Sequence, residues 1–362
     1  MVGALFIVSA PAAAVSRETI ALLQRRCVGG VFLAGRTKAG VAAIAQQAAA
    51  YQEAAREPAR EWEPAREWKP GKEPIRDTEA GSVAPGTVAY PAGILFIATD
   101  QEGGYVQALS GSGFSDIPAA STQAQNCNLT RAAKTWGDEL NLAGINVNFA
   151  PVADIVDTMS PEKNAPIGYY GRNYGTTSSA VRAGARAFAT GMQNAGIIPT
   201  LKHFPGLGRV SDNPDSVQGV FDYSTRFEDE TINIFNQLAK ELTHNNPQPW
   251  VMISTACYPN LDGNIPAAFS PVIVRLLRDA GFDGIIITDD LSKAKQVSGY
   301  APEVRAIKAI SAGVDIVLYS MTNFDVPAAI DAVRAKALTD PDFAGRVAES
   351  ACRVARAKLS LP

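Results

Sequence analysis

Short apolar runs recur along the chain, with longer amphipathic segments between them. Each run has the length and composition of a buried strand. They are "ALFIVS" (4–9), "GGVFLAG" (29–35), "ILFIAT" (94–99), "INVNFA" (145–150), "IIPTLK" (197–202), "WVMIST" (250–255), "IIIT" (285–288) and "VDIVLY" (314–319). The segments between them have helical periodicity, and several end in Gly. Eight strands alternating with helices predict an α/β fold, a single-domain (β/α)8 barrel of the TIM type over residues 1–362.

The start of the chain argues against an open doubly wound sheet. A nucleotide-binding fold of that kind has a Gly-rich turn directly after its first strand, and "SAPAAAV" contains no glycine. The opening "MVGALFIVSAPAAAVS" has the apolar stretch and A-x-A end of a signal peptide but no positively charged start, so we interpret it as a strand. A strand this close to Met1 suggests that a targeting segment was removed. That favours an exported or cell-envelope protein, with the cytoplasm as the alternative.

One segment interrupts the alternation of strands and helices. Residues 55–92 begin with "AREPAREWEPAREWKPGKEP", an imperfect repeat of Arg, Glu and Pro, and continue with a Gly/Pro-rich stretch. Prolines at this density end a helix, and the mixed charge is typical of a solvated insertion. Because the segment follows a helix and precedes a strand, we expect it at the N-terminal face of the barrel, away from the chemistry. It is either a repeat expansion without a role or a patch that binds a protein partner through Trp62 and Trp68.

Composition narrows the class of protein. Apolar residues make up 46% of the chain and charged residues 19%, which supports a sizeable core. The formal net charge of −3 gives no basic surface for nucleic acid, and no apolar run approaches the length of a membrane-spanning helix. The four cysteines lie far apart without metal-binding spacing, so we expect separate buried thiols, with one disulfide bridge as the alternative, and no metal site.

Polar residues follow the predicted strands at the end where barrel enzymes carry their chemistry. These residues are Asp100 after the third strand, Asp154 after the fourth, Lys202 and His203 after the fifth, and Asp289 and Asp290 after the seventh. Any one acid alone can cap a helix or bind loop amides. Four acids and a Lys–His pair at one rim indicate an active site.

Five motifs contain or adjoin these residues, in order along the chain. They are "ATDQEGGYVQ" (98–107), "NFAPVAD" (148–154), "GRNYG" (171–175), "KHFPGLG" (202–208) and "GFDGIIITDDL" (281–291). Together they resemble glycoside hydrolase family 3, and most closely its single-domain β-N-acetylglucosaminidase branch, which acts in bacterial cell-wall turnover. The resemblance implies a retaining exo-β-N-acetylhexosaminidase without a cofactor. Its implied substrates are N-acetylglucosamine-containing glycans or muropeptides.

The resemblance also assigns roles residue by residue. Asp289 matches the nucleophile that forms a covalent glycosyl-enzyme ester, and Asp100 matches an acid that binds sugar hydroxyls. Arg172, Lys202 and His203 match the residues that hold the sugar in the −1 pocket. A retaining glycosidase needs an ionised carboxylate at the anomeric carbon, and nearby cations favour that form.

Two further acids match supporting positions. Asp290 is expected to bind the loop behind Asp289, and Asp154 is expected to support the site without touching the reacting atoms. A third position departs from the pattern, because Tyr105 stands where the family usually has the Arg of "EGGRV". That change leaves the contacts beyond the −1 sugar open.

The loop after the fifth strand departs most from the family. In the β-N-acetylglucosaminidase branch it reads approximately K-H-F-P-G-H-G and then D-S-H, and the last His is the general acid/base. This chain has "PGLG" and "DSV", with Val217 at the histidine position. Valine cannot transfer a proton, and losing acid/base help typically costs on the order of 10²–10⁴ in rate. Asp212 and Asp215 are the candidate replacements, because a carboxylic acid is the ordinary proton donor of glycosidases.

Three hypotheses remain. The first is a β-N-acetylhexosaminidase with impaired or altered acid/base catalysis. The second is a non-catalytic sugar-binding protein that kept the pocket and lost the chemistry. The third is a Schiff-base aldolase that uses Lys202 at a strand end, a reading that the five glycosidase motifs disfavour.

Overall fold

The structure is a computed structural model that describes residues 1–57, 93–156, 160–321 and 326–361. Its strands are β1 (Phe6–Pro11), β2 (Gly30–Ala34), β3 (Phe96–Thr99), β4 (Gln101–Gly103), β5 (Val106–Gln107), β6 (Val147–Asn148), β7 (Ile198–Phe204), β8 (Trp250–Ile253), β9 (Ile286–Asp290) and β10 (Ile316–Tyr319). Its α-helices are α1 (Arg17–Arg26), α2 (Gly40–Arg56), α3 (Ala120–Gln123), α4 (Leu129–Leu142), α5 (Ser178–Asn194), α6 (Glu230–Leu242), α7 (Pro259–Asp262), α8 (Pro271–Asp279), α9 (Pro302–Ala312), α10 (Val326–Thr339) and α11 (Pro341–Leu359).

Eight parallel strands close into a barrel in the order β1–β10–β9–β8–β7–β6–β3–β2. The closing pair joins β1 to β10, with Phe6 opposite Val317. Each of the eight predicted runs overlaps one of these strands, so the (β/α)8 prediction is confirmed. The remaining strands, β4 and β5, form a small antiparallel ribbon directly after β3, which the apolar pattern did not predict.

Several of the helices outside the barrel begin at a side chain that caps the first turn. The hydroxyl of Ser16 accepts a hydrogen bond from the amide of Thr19 at the start of α1. Ser270 does the same for α8, which has a proline at its first position, and Asp340 caps α11. These side chains satisfy amides that the first helical turn leaves without partners. These three helices therefore begin at residues that the sequence specifies.

One layer of apolar side chains fills the barrel near the C-terminal ends of its strands. It consists of Phe32 on β2, Phe149 directly after β6, Met252 on β8 and Leu318 on β10. These are alternate strands of the barrel, and four side chains from alternate strands are the usual unit of barrel packing. The rings of Phe32 and Phe149 stack with centroids 5.4 Å apart. The four side chains form the base of a cavity that the polar residues at the C-terminal strand ends surround.

The predicted insertion over 55–92 lies almost wholly outside the described residues. The described chain ends on α2 and its C-cap at residue 57 and resumes at Gly93, just before β3. The placement of the insertion at the N-terminal face and its proposed protein partner therefore stay predictions.

Candidate active site

The polar residues at the strand ends converge on one cavity of about 650 Å³ above the apolar layer. A cavity of this size holds a small ligand. The predicted site residues that line it are Asp100, Arg172, Lys202, His203, Asp215 and Asp289. Asp212, the other predicted acid, is exposed and does not line this cavity.

Glu102 on β4 is the centre of the ion pairs in the cavity wall. Its carboxylate accepts hydrogen bonds from Nε and Nη2 of Arg172 at 2.9 and 2.7 Å. It also lies 2.6 Å from Nζ of Lys202, and that nitrogen donates to Asp100 Oδ1 at 2.7 Å. Burial alone would raise the pKa of Glu102, but the charges of Arg172 and Lys202 outweigh it and lower the pKa to about 2. Glu102 therefore stays ionised and holds both cations in place.

The same network decides between two chemistries for Lys202. Its side chain is only 3% exposed, and burial by itself would lower its pKa. The carboxylates of Asp100 and Glu102 outweigh burial and raise the pKa instead. Schiff-base formation needs a neutral amine, which enzymes obtain by lowering the pKa of a lysine. The environment of Lys202 does the opposite, so it favours a charged hydrogen-bond donor and not the neutral amine that an aldolase needs.

Glu102 was missed as a site residue by sequence analysis. It lies in the first quoted motif, two residues after Asp100, so that motif contained a signal for it. Its function depends on residues 70 and 100 positions further along the chain, which a local pattern cannot connect.

His203 is oriented by a buried acid. Its Nδ1 lies 2.7 Å from Oδ2 of Asp154, which is fully buried. Because an ionised carboxylate can only accept, Nδ1 carries the proton and the other ring nitrogen is left for the cavity. Asp154 also accepts from the backbone amide of Leu207 at 2.9 Å. This is the supporting role that sequence analysis expects for Asp154.

The two acids at the end of β9 have different surroundings. Asp290 accepts hydrogen bonds from the amides of Ser292 and Lys293 and from the amide of Ser320. Its oxygens are therefore occupied by the two neighbouring loops, as the sequence predicts. Both acids line the cavity, but among the described residues the Asp289 carboxylate accepts a single hydrogen bond, from the amide of Asp290 at 2.8 Å. It is the acid of the pair that is available to a ligand.

Asp215 approaches the cavity on the loop that follows β7. Backbone hydrogen bonds join this loop to the segment after β9, from the Lys295 amide to the Asp215 carbonyl and from the Gln296 amide to the Pro214 carbonyl. The side chain of Gln296 adds two bonds to the backbone of Val220. The loop carrying Asp215 is thus fastened to the segment that follows Asp289.

The carboxyl of Asp215 is strongly perturbed. The residue as a whole is exposed, but it lines the cavity, where neighbouring atoms reduce the hydration of its carboxyl. This desolvation, together with the negative charges of Asp289 and Asp290, raises the pKa of Asp215 to about 7. Val217, two residues on, is 39% exposed and does not line the cavity. Asp215 thus combines access to the cavity with a pKa suited to proton transfer near neutral pH.

All four cysteines are free thiols, but the prediction that they are buried is correct only for Cys257, since Cys27, Cys127 and Cys352 are exposed. Two kinds of feature are absent from the residues that the structure describes. No cluster of three or more His, Cys, Asp or Glu side chains there is placed to hold a metal ion. Over those residues, no helix is both long and apolar enough to cross a membrane.

Comparison with known proteins gives consistent matches. Residues 76–357 match the family model described as "Glycosyl hydrolase family 3 N terminal domain". The chain is 33% identical over 248 residues to the "Beta-hexosaminidase LpqI" of Mycobacterium tuberculosis, covering 66% of this chain and 61% of that protein. It is 31% identical over 300 residues to a "Beta-hexosaminidase" of Idiomarina loihiensis, covering 80% of this chain and 81% of that protein. The chain thus spans less than two thirds of the length of LpqI.

A solved structure extends the match over nearly the whole chain. The crystal structure of a β-N-acetylhexosaminidase from Beutenbergia cavernae superposes with a TM-score of 0.85 at 41% identity. The match covers 99% of this chain and 97% of that one.

Proposed function

The chain belongs to glycosyl hydrolase family 3, and from this we propose that it is a retaining exo-β-N-acetylhexosaminidase acting on N-acetylglucosamine-containing cell-wall glycans, with Asp215 as the group that transfers the proton. One observation carries the proposal: Asp289 and Asp215 line the same cavity, and the pKa of Asp215 is raised to about 7. A retaining glycosidase needs two such groups, a carboxylate that attacks and an acid that is still protonated.

The first step follows from this pairing. A carboxylate oxygen of Asp289 attacks the anomeric carbon, the bond to the glycosidic oxygen breaks, and Asp215 gives that oxygen its proton. Lys202 and Asp100 hold sugar hydroxyls, with Arg172 and His203 beside them. The products of the step are a glycosyl ester on Asp289, a free alcohol and an ionised Asp215.

The second step reverses the role of Asp215. Once Asp289 is esterified it is neutral, so one of the negative charges that raised the pKa of Asp215 is gone. The pKa of Asp215 then falls, which favours its ionised form. The carboxylate takes a proton from water, the water oxygen attacks the anomeric carbon, and Asp289 is released. Two displacements at one carbon retain the β configuration.

The competing function is a sugar-binding protein with little or no turnover. The observation that favours it is Val217, which cannot replace a histidine in proton transfer. Both functions require a sugar in the cavity, so binding alone does not separate them. The two functions are separated by whether a covalent intermediate forms on the protein and is then released.

The test is hydrolysis of an aryl N-acetyl-β-glucosaminide followed by trapping of the intermediate. We expect wild type to release the phenol and a 5-fluoro analogue to leave a sugar-sized mass increase on the peptide that contains Asp289. Asp289→Asn should abolish both signals. Asp212→Asn should behave as wild type, because Asp212 is exposed and does not line the cavity. Binding of N-acetylglucosamine without phenol release or trapping would instead establish the sugar-binding protein.

A further inference from the structure

Two tyrosines from separate loops stack on each other in the wall of the cavity. Tyr105 lies in the turn between β4 and β5, and Tyr170 ends a short helical turn that precedes α5. Their ring centroids are 4.0 Å apart and the rings are tilted by only 15°. Both residues line the cavity, although Tyr105 is 55% exposed. The pair is thus an aromatic surface between the sugar-binding end of the cavity and solvent.

Neighbouring residues fix the stack from both sides. The guanidinium of Arg36 lies 4.8 Å from the ring centroid of Tyr105 and also donates to the Tyr105 carbonyl. Tyr169 packs edge-on against Tyr170, with centroids 4.8 Å apart. One face of each ring is covered by the other ring, and the two phenolic groups lie close enough to interact. The ring edges and the remaining hydrogen-bonding capacity of the phenolic groups are what the pair can offer to a ligand.

The stack is also fixed relative to the sugar-binding end. Tyr105 is three residues after Glu102, and Tyr170 is two residues before Arg172. Glu102 and Arg172 are joined by two charged hydrogen bonds at 2.9 and 2.7 Å. The ion pair in the wall and the aromatic stack therefore connect the same two segments of chain. A ligand held by Arg172 and Lys202 meets the tyrosines at a fixed distance.

We propose that Tyr105 and Tyr170 form the subsite for the leaving group and that its occupant is a second sugar ring. This rests on the proposed function. The −1 sugar must lie against Asp289, and its leaving group must extend to where Asp215 can protonate it, so that group lies in the remaining part of the same cavity. Two phenolic hydroxyls, each able to donate and accept, suit sugar hydroxyls better than an alkyl chain. The ring edges supply apolar contact beside them.

The proposal predicts a difference between two substrates. N-acetyl-β-glucosaminyl fluoride has a leaving group that fills no subsite, whereas N,N′-diacetylchitobiose places a sugar there. Tyr105→Ala and Tyr170→Phe should lower kcat/KM for the disaccharide by about five- to tenfold. The same variants should stay within about twofold of wild type on the fluoride. Tyr223→Ala is the matched control, because Tyr223 is an exposed tyrosine that does not line the cavity.

Two outcomes would overturn the subsite. If the fluoride and the disaccharide lose rate in parallel, the stack only supports the sugar pocket; if neither changes, the tyrosines do not touch the leaving group. Failure of the proposed function would give a different result, because wild type would then hydrolyse neither substrate. In that case calorimetry with N-acetylglucosamine and the disaccharide tests the subsite alone. The disaccharide should bind more tightly than the monosaccharide to wild type, and Tyr105→Ala should remove most of that difference.

Discussion

Asp154 contacts His203 at two points, because its carboxylate accepts a hydrogen bond from the backbone amide at 3.1 Å and another from ring Nδ1 at 2.7 Å. The first contact fixes the end of β7, and the second fixes the rotation and the tautomer of the imidazole. Backbone and side chain of His203 are therefore positioned by one buried acid.

We expect Asp154→Asn to damage sugar binding through His203. The amide cannot satisfy both donors, because one of its two positions is itself a donor. If the amide nitrogen faces Nδ1, the proton moves to Nε2 and the cavity meets a donor in place of an acceptor. KM should rise about tenfold or more, with a smaller change in kcat. Nitrogen NMR of the imidazole checks the tautomer, with the exposed His244 as an internal reference. An unchanged His203 tautomer together with an unchanged KM would contradict this role.

The pH dependence of the reaction should identify Asp215. Its pKa is raised to about 7, so the acid form is present below neutral pH and is lost as the pH rises through 7. For a disaccharide, kcat/KM should fall above that point. Asp215→Asn should remove this limb and reduce the rate by about 10²- to 10⁴-fold.

Aryl substrates with acidic phenols provide the control for this assignment. They need little protonation, so Asp215→Asn should still form the glycosyl-enzyme from them, and azide should speed its release. A falling limb near pH 7 that persists in Asp215→Asn would assign the proton transfer to another group.

The raised pKa of Asp215 should also lower the stability of the folded protein at high pH. A carboxyl whose pKa is higher in the folded than in the unfolded protein binds its proton more tightly when folded. Stability therefore decreases as the pH rises from about 4 to about 7, and the loss is complete above 7. We expect Asp215→Asn to melt at a higher temperature than wild type at pH 8 and at nearly the same temperature at pH 4. Asp212→Asn should show no such pH-dependent gain.

Glu102 should contribute to stability in the opposite direction. Its pKa is lowered from 4.5 to about 2, so its contribution is full above about 4.5 and is lost as the pH falls towards 2. Removing one partner from a buried ion pair typically costs about 3–5 kcal/mol. In denaturant titrations at pH 7, Glu102→Gln should lose about 3 kcal/mol, and the difference from wild type should shrink at pH 3. The exposed Glu162→Gln serves as the control, and equal losses in both variants would contradict the role of Glu102.

The sequence predicts the barrel well because each strand is a short, continuous apolar run. The predicted ends of the strands are less accurate, for local reasons. β7 continues to Phe204 and β9 to Asp290, because Phe204 still pairs with Ile253 and Asp290 with Leu318. Conversely, the run at 145–150 gives only the two-residue strand β6.

The residues that line the cavity are harder to predict from the sequence than the fold is. Residues at strand ends could be placed because the barrel carries them to one rim. Asp212 and Asp215 could not be separated, because a loop has no periodicity and only its anchoring to residues 295–296 directs one acid inward. The pairing of Tyr105 with Tyr170 was equally invisible, since it joins segments 65 residues apart in the chain.

The anchoring of this loop bears on how its sequence can vary. Pro214 and Asp215 are held through their carbonyls, and Val217 through a backbone bond from its amide to Asn213, while the Val217 side chain stays partly exposed. Many side chains should therefore be tolerated at position 217 without moving Asp215. Mutational tolerance should instead be lowest at Gln296, whose amide group pairs with both backbone groups of Val220. A library of variants selected for hydrolysis should drift freely at residue 217 and retain glutamine at 296.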